Sequence, residues 1–277
     1  MAKNKGIADL HVHTWYSDSS LSPEAVVEEA RANGVTLLAV ADHEKFEGSR
    51  EAAALCGVVG IRLIPAAELT CVEGGIEYHV LCYGADDANA PLRAQAAQSR
   101  RILDDMSVWL VEKLAPEYPA VSVPDFQAFT YDRGLGGWKG LHYLLARGVT
   151  DSLRAGMALY ARYGITYANA GFPDMASLLS LIHGAGGRAV LAHPGYTLRK
   201  EPTDAIVRQT AHLYDLGLDG LECHYPLHDE RLTSRLIDLC QARGGMITAG
   251  SDCHGVFGRT QVGEMNVSTD QIDLRGL

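Results

Sequence analysis

Along this chain, stretches whose apolar residues recur at helical spacing alternate with short runs of Val, Ile, Leu and Ala, and glycine marks most junctions. "PEAVVEEARANG" leads into "VTLLAVADH", "REAAALCGVVG" into "IRLIPAAE", and "MASLLSLIHGAGG" into "RAVLAHP". "IVRQTAHLYDLG" leads into "LDGLECHYP", and "LTSRLIDLCQARGG" into "MITAGSDCH". The spacing predicts helices, with Pro23 and Glu24 suited to a helix start and the trailing glycines suited to left-handed C-terminal caps. The near-continuous apolar runs predict strands buried on both faces of a parallel sheet. "GIADLHVHT" and "EYHVLCYG" add one strand each. Helix and strand in alternation imply right-handed βαβ units. In an α/β barrel of such units the site forms at the carboxyl ends of the strands.

From about Asp86 to Asp174 the rhythm stops. "APLRAQAAQSRRILDDMSVWLVEKLAPEYPAVSV" predicts a long helix and a proline-marked loop, and "WKGLHYLLARG" and "SLRAGMALYARYG" predict further helices. The expected organisation is therefore a barrel from residues 1–85 and 175–277, with a mostly helical insertion, 86–174, capping its mouth. The tail after Gly258 is expected to wrap or close the barrel.

Composition narrows the function classes. A net charge of -10 argues against a long nucleic acid held on a broad basic surface. No apolar run is long enough to span a bilayer, and the start lacks the apolar core of a signal peptide. Six cysteines without a C-x-x-C pair suggest reduced, buried thiols and a cytoplasmic location. No phosphate-loop motif is present. Eleven histidines are many for 277 residues, and their positions carry the chemistry.

His11 and His13 share one strand face, with Val12 opposite, so both imidazoles can reach one metal ion. His43, Glu68, His79, His193, Asp252 and His254 stand on other predicted strands, most at the ends, and Asp18 follows the first strand closely. Buried carboxylates need compensating cations, and a mixed imidazole and carboxylate set suits zinc, manganese or iron. Nine candidate ligands exceed what one ion needs, so a cluster of ions is the natural inference. Asp42 and Glu222 are candidates either to touch metal or to orient an imidazole, His224 either to touch substrate or to support a ligand, and Cys253 is expected to point away into the core. His183 and His212 read as ordinary helix residues, His142 as a helix-surface residue, and His228 as a residue near a helix start.

"DLHVHTWYSD", "VADH", "GIRLIPAAEL", "YHVLCYG", "VLAHPG" and "GSDCHG" resemble, in order, the motifs of PHP-domain (polymerase and histidinol phosphatase) phosphoesterases, relatives of the amidohydrolases. The resemblance covers roughly residues 6–85 and 175–258 and points to the stand-alone small-phosphoester branch. It implies a distorted seven-stranded (β/α) barrel with three divalent ions of manganese, iron or zinc. By motif, His11, His13 and Asp252 would bind the first ion and Glu68 would bridge to the second. His79 and His193 would complete the second, while Asp18, His43 and His254 would hold the third. The insertion lacks the Arg-Pro-His-like motif of nucleotide-acting members, and Trp138 and Lys139 stand in that region.

The expected activity is hydrolysis of a small phosphate mono- or diester, a sugar phosphate, cyclic phosphate or nucleotide, by metal-activated hydroxide. Lys139, Arg199 and Arg259 are candidates for binding its phosphoryl oxygens. His224, or less readily Asp42, would give a proton to the leaving oxygen. Alternatives are a nucleotide 3′-phosphatase or 5′-to-3′ oligoribonucleotide exonuclease, a histidinol-phosphatase-like enzyme, and a C–N-cleaving amidohydrolase, which would want a bridging lysine where Glu68 stands. A non-enzymatic metal-buffering module is the remaining rival.

Overall fold

The computed structural model describes residues 6–277. The chain opens with β1 (Ile7–Val12), α1 (Pro23–Ala32), β2 (Val35–Val40), α2 (Glu47–Val59), β3 (Arg62–Leu63), β4 (Ala66–Glu73) and β5 (Ile76–Tyr83). Five helices follow without a strand: α3 (Ala90–Leu114), α4 (Val123–Ala128), α5 (Lys139–Ala146), α6 (Leu153–Arg162) and α7 (Tyr167–Ala170). Alternation resumes with α8 (Met175–Gly184), β6 (Arg188–Leu191), α9 (Pro194–Thr197), α10 (Thr203–Asp215), β7 (Gly220–His224), α11 (Glu230–Arg243) and β8 (Met246–Ala249), and β9 (Val267–Ser268) comes last. Gly34, Gly60, Gly186, Gly217 and Gly244, which follow the helices at the sequence-predicted stops, all have positive φ.

The strands form two sheets, ordered β3-β2-β1-β9 and β4-β5-β6-β7-β8. They do not merge into one continuous hydrogen-bonded sheet. Isolated parallel bridges join them at both seams, Val12 to Cys253 and His43 to Glu68. At the first seam His13 N–H donates to the Cys253 carbonyl (3.0 Å) and Asp252 N–H to that of His11 (2.8 Å). The tail enters the same seam lower down. β9 lies antiparallel on the start of β1, and Asp273 bridges to Ile247 of β8.

Two features depart from an all-parallel alternation. "IRLIPAAE" is not one strand ending at Glu68; it breaks at Ile64–Pro65, and β4 runs on to Glu73. Gly74 and Gly75, both at positive φ, turn β4 directly into antiparallel β5, with Glu73 opposite Ile76. Two consecutive positive-φ residues suit a two-residue hairpin, and glycine adopts them without strain. β5 is antiparallel to β6 as well.

Burial follows from this layering. Ala8, Leu10, Leu37, Ala39, Leu81 and Val190 pack together between the sheets, with Leu274 and Leu277 of the tail against them. Leu178, Leu213 and Leu236 of α8, α10 and α11 cover the outer face of the second sheet, and Val26 and Ala52 of α1 and α2 cover the first. Met106, Leu110, Phe126, Tyr143 and Leu144 form a separate apolar cluster among α3–α5. Ala8, Leu10 and Val12 have the same parity, yet the first two face the interior and Val12 the outer α1–α2 layer. The register shift between Asp9 and Val12 explains this: a bulge re-aims the following side chains, so Leu10 and His11 can both turn inward.

Candidate metal centre

The irregular β1 ends in His11 and His13, both fully buried. Asp18 follows on a turn closed by Ser17 and Ser19 N–H donating to the Thr14 carbonyl. His43 lies just past β2, Glu68 early in β4, and His193, Asp252 and His254 just past β6 and β8. Because β5 runs antiparallel, its beginning reaches the site, which is why His79 lies mid-strand. His193 (φ 30°) and Asp252 (φ 53°) sit in the left-handed region, a strain that non-glycine residues hold only when their surroundings impose it.

The nine side chains converge around Glu68. Its Oε1 lies 3.0 Å from His79 Nδ1 and 3.1 Å from His193 Nε2. Its Oε2 lies 3.2 Å from His11 Nε2, 3.3 Å from His13 Nε2 and 3.1 Å from His43 Nδ1. Asp252 Oδ1 approaches His11 and His13 Nε2 at 3.4 and 3.2 Å. Asp18 Oδ1 lies 3.3 Å from His254 Nε2 and 3.9 Å from His43 Nε2. Three overlapping donor groups result: His11, His13, Glu68 and Asp252; His43, Glu68 and His79; and His13, Asp18, His43 and His254. Their overlap at His13 and His43 goes beyond the motif-by-motif division expected from sequence.

Metal ions fit this arrangement better than hydrogen bonds do. His11 Nδ1 lies 3.1 Å from Glu222 Oε1, so the neutral ring keeps its proton there and leaves Nε2 the lone pair. His13 Nδ1 lies 3.4 Å from Ser17 Oγ, whose own proton goes to Asp42 Oδ1 (2.6 Å). His13 Nε2 therefore also presents a lone pair, assigned from the network as tautomers must be. These two nitrogens face each other at 3.0 Å, an arrangement that a cation between them relieves. Glu68 Oε2 and Asp18 Oδ1 are buried and accept no hydrogen bond, an expensive state unless a cation supplies the missing partner.

Burial would lower the His11 and His79 rings, yet Glu68 lifts both well above the ordinary imidazole range, so with no cation bound protons stand in for it and a metal would displace them. Burial alone would raise the Glu68 carboxyl, but the His11, His79 and His43 rings hold it well below the usual carboxylate range. Asp252 is likewise held down, against burial, by His11 and His254. Burial pushes His43 down to about 3 despite Glu68 and Asp18, while Asp18 and Asp252 overcome burial and lift His254 to about 10.

A second layer of side chains holds these donors, an arrangement usual around metals. Fully buried Glu222 accepts from the His193 backbone N–H (2.8 Å) as well as facing His11. A Cβ at Gly250 would fall 2.3 Å from Glu222 Oε1 and 2.3 Å from His11 Cβ, so only glycine lets β8 end this close. Tyr225 O–H donates to Asp252 Oδ2 (3.0 Å). Glu77 Oε1 holds His79 Nε2 (2.8 Å). Asp42 accepts from Thr14 N–H (2.7 Å), Thr14 O–H (2.6 Å) and Ser17 O–H (2.6 Å).

The other sequence candidates lie farther out. Lys139 donates to the Gln127 carbonyl (3.0 Å) and stacks on Phe126. Arg199 donates to the Tyr196 carbonyl and lies over that ring, which is 5.6 Å from His193. Arg259 is exposed beyond the Gly255–Phe257 turn. His224 is half-buried, and burial lowers its pKa against the Gln271 backbone; its Nε2 has no hydrogen-bond partner. His142 is buried, not on the helix surface, with its Nε2 2.7 Å from the Gly136 carbonyl and its ring on Tyr131. His228 precedes the Asp229 cap of α11 and accepts from Gly195 N–H.

Several residues near the site carried no sequence signal: Tyr225, Glu77 and Arg100. Arg100 lies over Trp138 at 4.8 Å and pairs with Asp104, while its Nη1 is buried without a hydrogen-bond partner. Trp138 in turn is 5.9 Å from His43.

The sequence profile of the PHP domain matches residues 9–116. This part of the chain is similar to a PHP domain. That stretch holds six of the nine converging side chains, His11, His13, Asp18, His43, Glu68 and His79, together with Asp42 and Glu77 of the supporting layer. Curated proteins resemble the chain along nearly its whole length. A phosphoribosyl 1,2-cyclic phosphate 1,2-diphosphodiesterase of Eggerthella lenta is 28% identical over 262 residues, covering 91% of this chain and 96% of that one. A 5′-3′ exoribonuclease of Haemophilus influenzae is 27% identical, covering 92% and 93%. The crystal structure of a candidate metal-dependent phosphoesterase from Bifidobacterium adolescentis superposes with a TM-score of 0.77 at 26% identity, covering 99% of each chain.

Proposed function

We propose that this chain is a metal-dependent phosphoesterase that hydrolyses small phosphate mono- or diesters on a centre of three divalent ions. The observation that carries the reading is the convergence of imidazole nitrogens and carboxylate oxygens around Glu68, with His11 and His13 Nε2 3.0 Å apart. The mixed imidazole and carboxylate donors suit manganese, iron or zinc. The relatives' names support a small phosphorylated substrate, a cyclic sugar phosphate or a short RNA, and the charge of -10 speaks against long nucleic acid.

The two seam bridges support reading β1, β2 and β4–β8 as one distorted seven-stranded barrel. Within it, residues 1–85 and 175–277 make the barrel and 86–174 the cap. The separate apolar cluster of the inserted helices supports that division. No described helix is long and apolar enough to cross a membrane. Six buried cysteines, none in a disulfide, favour a reducing, cytoplasmic setting.

When bound, the ions would neutralise phosphoryl charge and make water acidic enough to supply hydroxide near neutral pH. The protein's part is positioning. Glu222 holds the His11 ring with its Nε2 lone pair inward, the Asp42–Ser17 pair does the same for His13, and Tyr225 orients Asp252. Arg100, through its unpartnered Nη1, is the cation we add to Lys139, Arg199 and Arg259 for the phosphoryl oxygens. His224 and Asp42 remain the proposed proton donors. Asp42 already accepts three hydrogen bonds from Thr14 and Ser17, which favours a positioning part for it.

Phosphate release from a library of nucleotide, sugar and cyclic phosphates, using protein reconstituted with manganese, iron or zinc, tests the reading. His13→Ala and Asp252→Ala should abolish release with the fold kept. Undiminished turnover by these variants, or cleavage of amides in preference to phosphoesters, would refute it.

A further inference from the structure

A cavity of about 390 Å³ lies among α3, α5, α6, α7 and the β4–β5 hairpin, a size usual for small-molecule pockets. Two of its lining residues border the donor cluster. Glu77 is hydrogen-bonded to His79 (2.8 Å), and Trp138 is 5.9 Å from His43. An ester with its phosphoryl group on the donors can therefore extend its other half between these two residues and into the cavity.

The cavity's chemistry is one-sided. Leu103, Met106, Leu141, Met157 and Ile165 supply most of the wall. Of its four hydroxyl residues, Ser107, Tyr160, Thr166 and Tyr167, Thr166 caps α7, and Ser107 Oγ and the Tyr160 phenol are 2.8 Å apart, a pair that Gly140 makes room for, since a Cβ there would fall 2.5 Å from the phenol oxygen. Among the described residues no lysine or arginine lines it, and its one carboxylate is Glu77. A phosphate placed here would be desolvated without a counter-charge and would face Glu77, which is costly. An uncharged ring or hydrocarbon would instead bury apolar surface.

We propose that this cavity holds the substrate's leaving group, and that this group is uncharged and apolar, of aromatic bulk, with no second phosphate. The inference rests on the phosphoesterase reading above and narrows it to phosphoesters of apolar or aromatic-bearing alcohols. Selection is made by the inserted helices, while the donor cluster acts on the phosphoryl group that all such esters share.

Three esters with comparable primary alkoxide leaving groups test this on the metal-reconstituted full chain: 2-phenylethyl phosphate, ethyl phosphate and the bisphosphate of ethane-1,2-diol. The expected kcat/KM for 2-phenylethyl phosphate is roughly tenfold or more above that for ethyl phosphate, with the bisphosphate below both. Ala161→Trp and Ala168→Trp add bulk from small lining residues on α6 and α7. In both, the phenylethyl-to-ethyl ratio should fall toward one, a ratio that a general loss of folding or metal would leave alone. A wild-type ratio near one, a preference for the bisphosphate, or a ratio unmoved in both variants overturns the proposal. Failure of every ester with every metal overturns the phosphoesterase reading instead. The pocket is then judged by 1-naphthol: saturable binding to the metal-free chain, lost in both variants, supports it, and absence of binding overturns it.

Discussion

Replacing Glu222 by glutamine should weaken metal binding without unfolding the protein. Glu222 is completely buried and serves two donors, His11 Nδ1 at 3.1 Å from Oε1 and the His193 backbone N–H at 2.8 Å from Oε2. A glutamine of the same shape has one acceptor oxygen, so its NH₂ group must face one of these donors. If it faces His11, the ring is driven to the other tautomer, and the lone pair leaves the nitrogen that lies 3.2 Å from Glu68 and 3.4 Å from Asp252. If it faces His193, the left-handed turn at that residue loses its anchor. A hydrogen bond to a charged group is worth about 1.5–3 kcal/mol, which is about a 10–100-fold change and matches the usual effect of removing an outer-layer partner of a ligand. Titration of metal-free protein with Mn²⁺ against a competing chelator measures the affinity, and phosphate release measures the consequence. Thermal melting of the metal-free variant separates loss of metal from loss of fold. Affinity and turnover both within about threefold of the unsubstituted chain would refute the claim that Glu222 sets the His11 tautomer.

Gly250→Ala should be worse, because its Cβ would fall 2.3 Å from both Glu222 Oε1 and His11 Cβ; overpacking of this kind costs about 1–3 kcal/mol or more, read as a lower Tm together with lost metal affinity. Asp42→Asn sets its NH₂ group against either Thr14 O–H on one side or both Thr14 N–H and Ser17 O–H on the other, so a destabilisation of about 1–3 kcal/mol by denaturant titration is expected. Arg100→Ala should raise KM for phosphoesters about tenfold with little change in kcat, the pattern of lost uniform binding; equal KM would remove Arg100 from the site. Chelation should abolish phosphate release and added manganese, iron or zinc restore it, while circular dichroism stays native, because the apolar clusters around the sheets do not depend on the donors.

What could be read from the chain depended on whether its meaning was local. His11, His13, His43, His193, Asp252 and His254 follow apolar runs at strand ends, so burial and position could be inferred from neighbours alone, and the structure does bring them together. The inserted helices were legible for the same reason, as periodicity inside each segment. Partners across space were not. Glu77 and Tyr225 look like ordinary strand and loop residues until β5 and β7 bring them against His79 and Asp252. His142 looked like surface because nothing nearby announces Tyr131 stacking on it.

Strand direction shows the same limit in the backbone. "CVEGGIEYHVLCYG" reads as two apolar runs with a glycine pair between, and that pair is the hairpin signal that reverses β5. Taking the sheet as parallel throughout would put the site at the end of β5, beside Tyr83, whose phenol in fact donates to the Leu10 carbonyl deep in the interior. His79 sits midway along the strand and still meets Glu68, because the reversal carries the first half of β5 to the same side as the ends of β1, β2, β6 and β8. The hairpin then does a second thing. By projecting past Glu68 to Gly74 and Gly75 it brings Glu77 and Gly75 up to the inserted helices, so the wall of the cavity and the support of a candidate ligand are parts of one turn. A chain that selects its substrate with the inserted helices and acts on it with the strand ends needs such a link between the two, and the hairpin is where they meet.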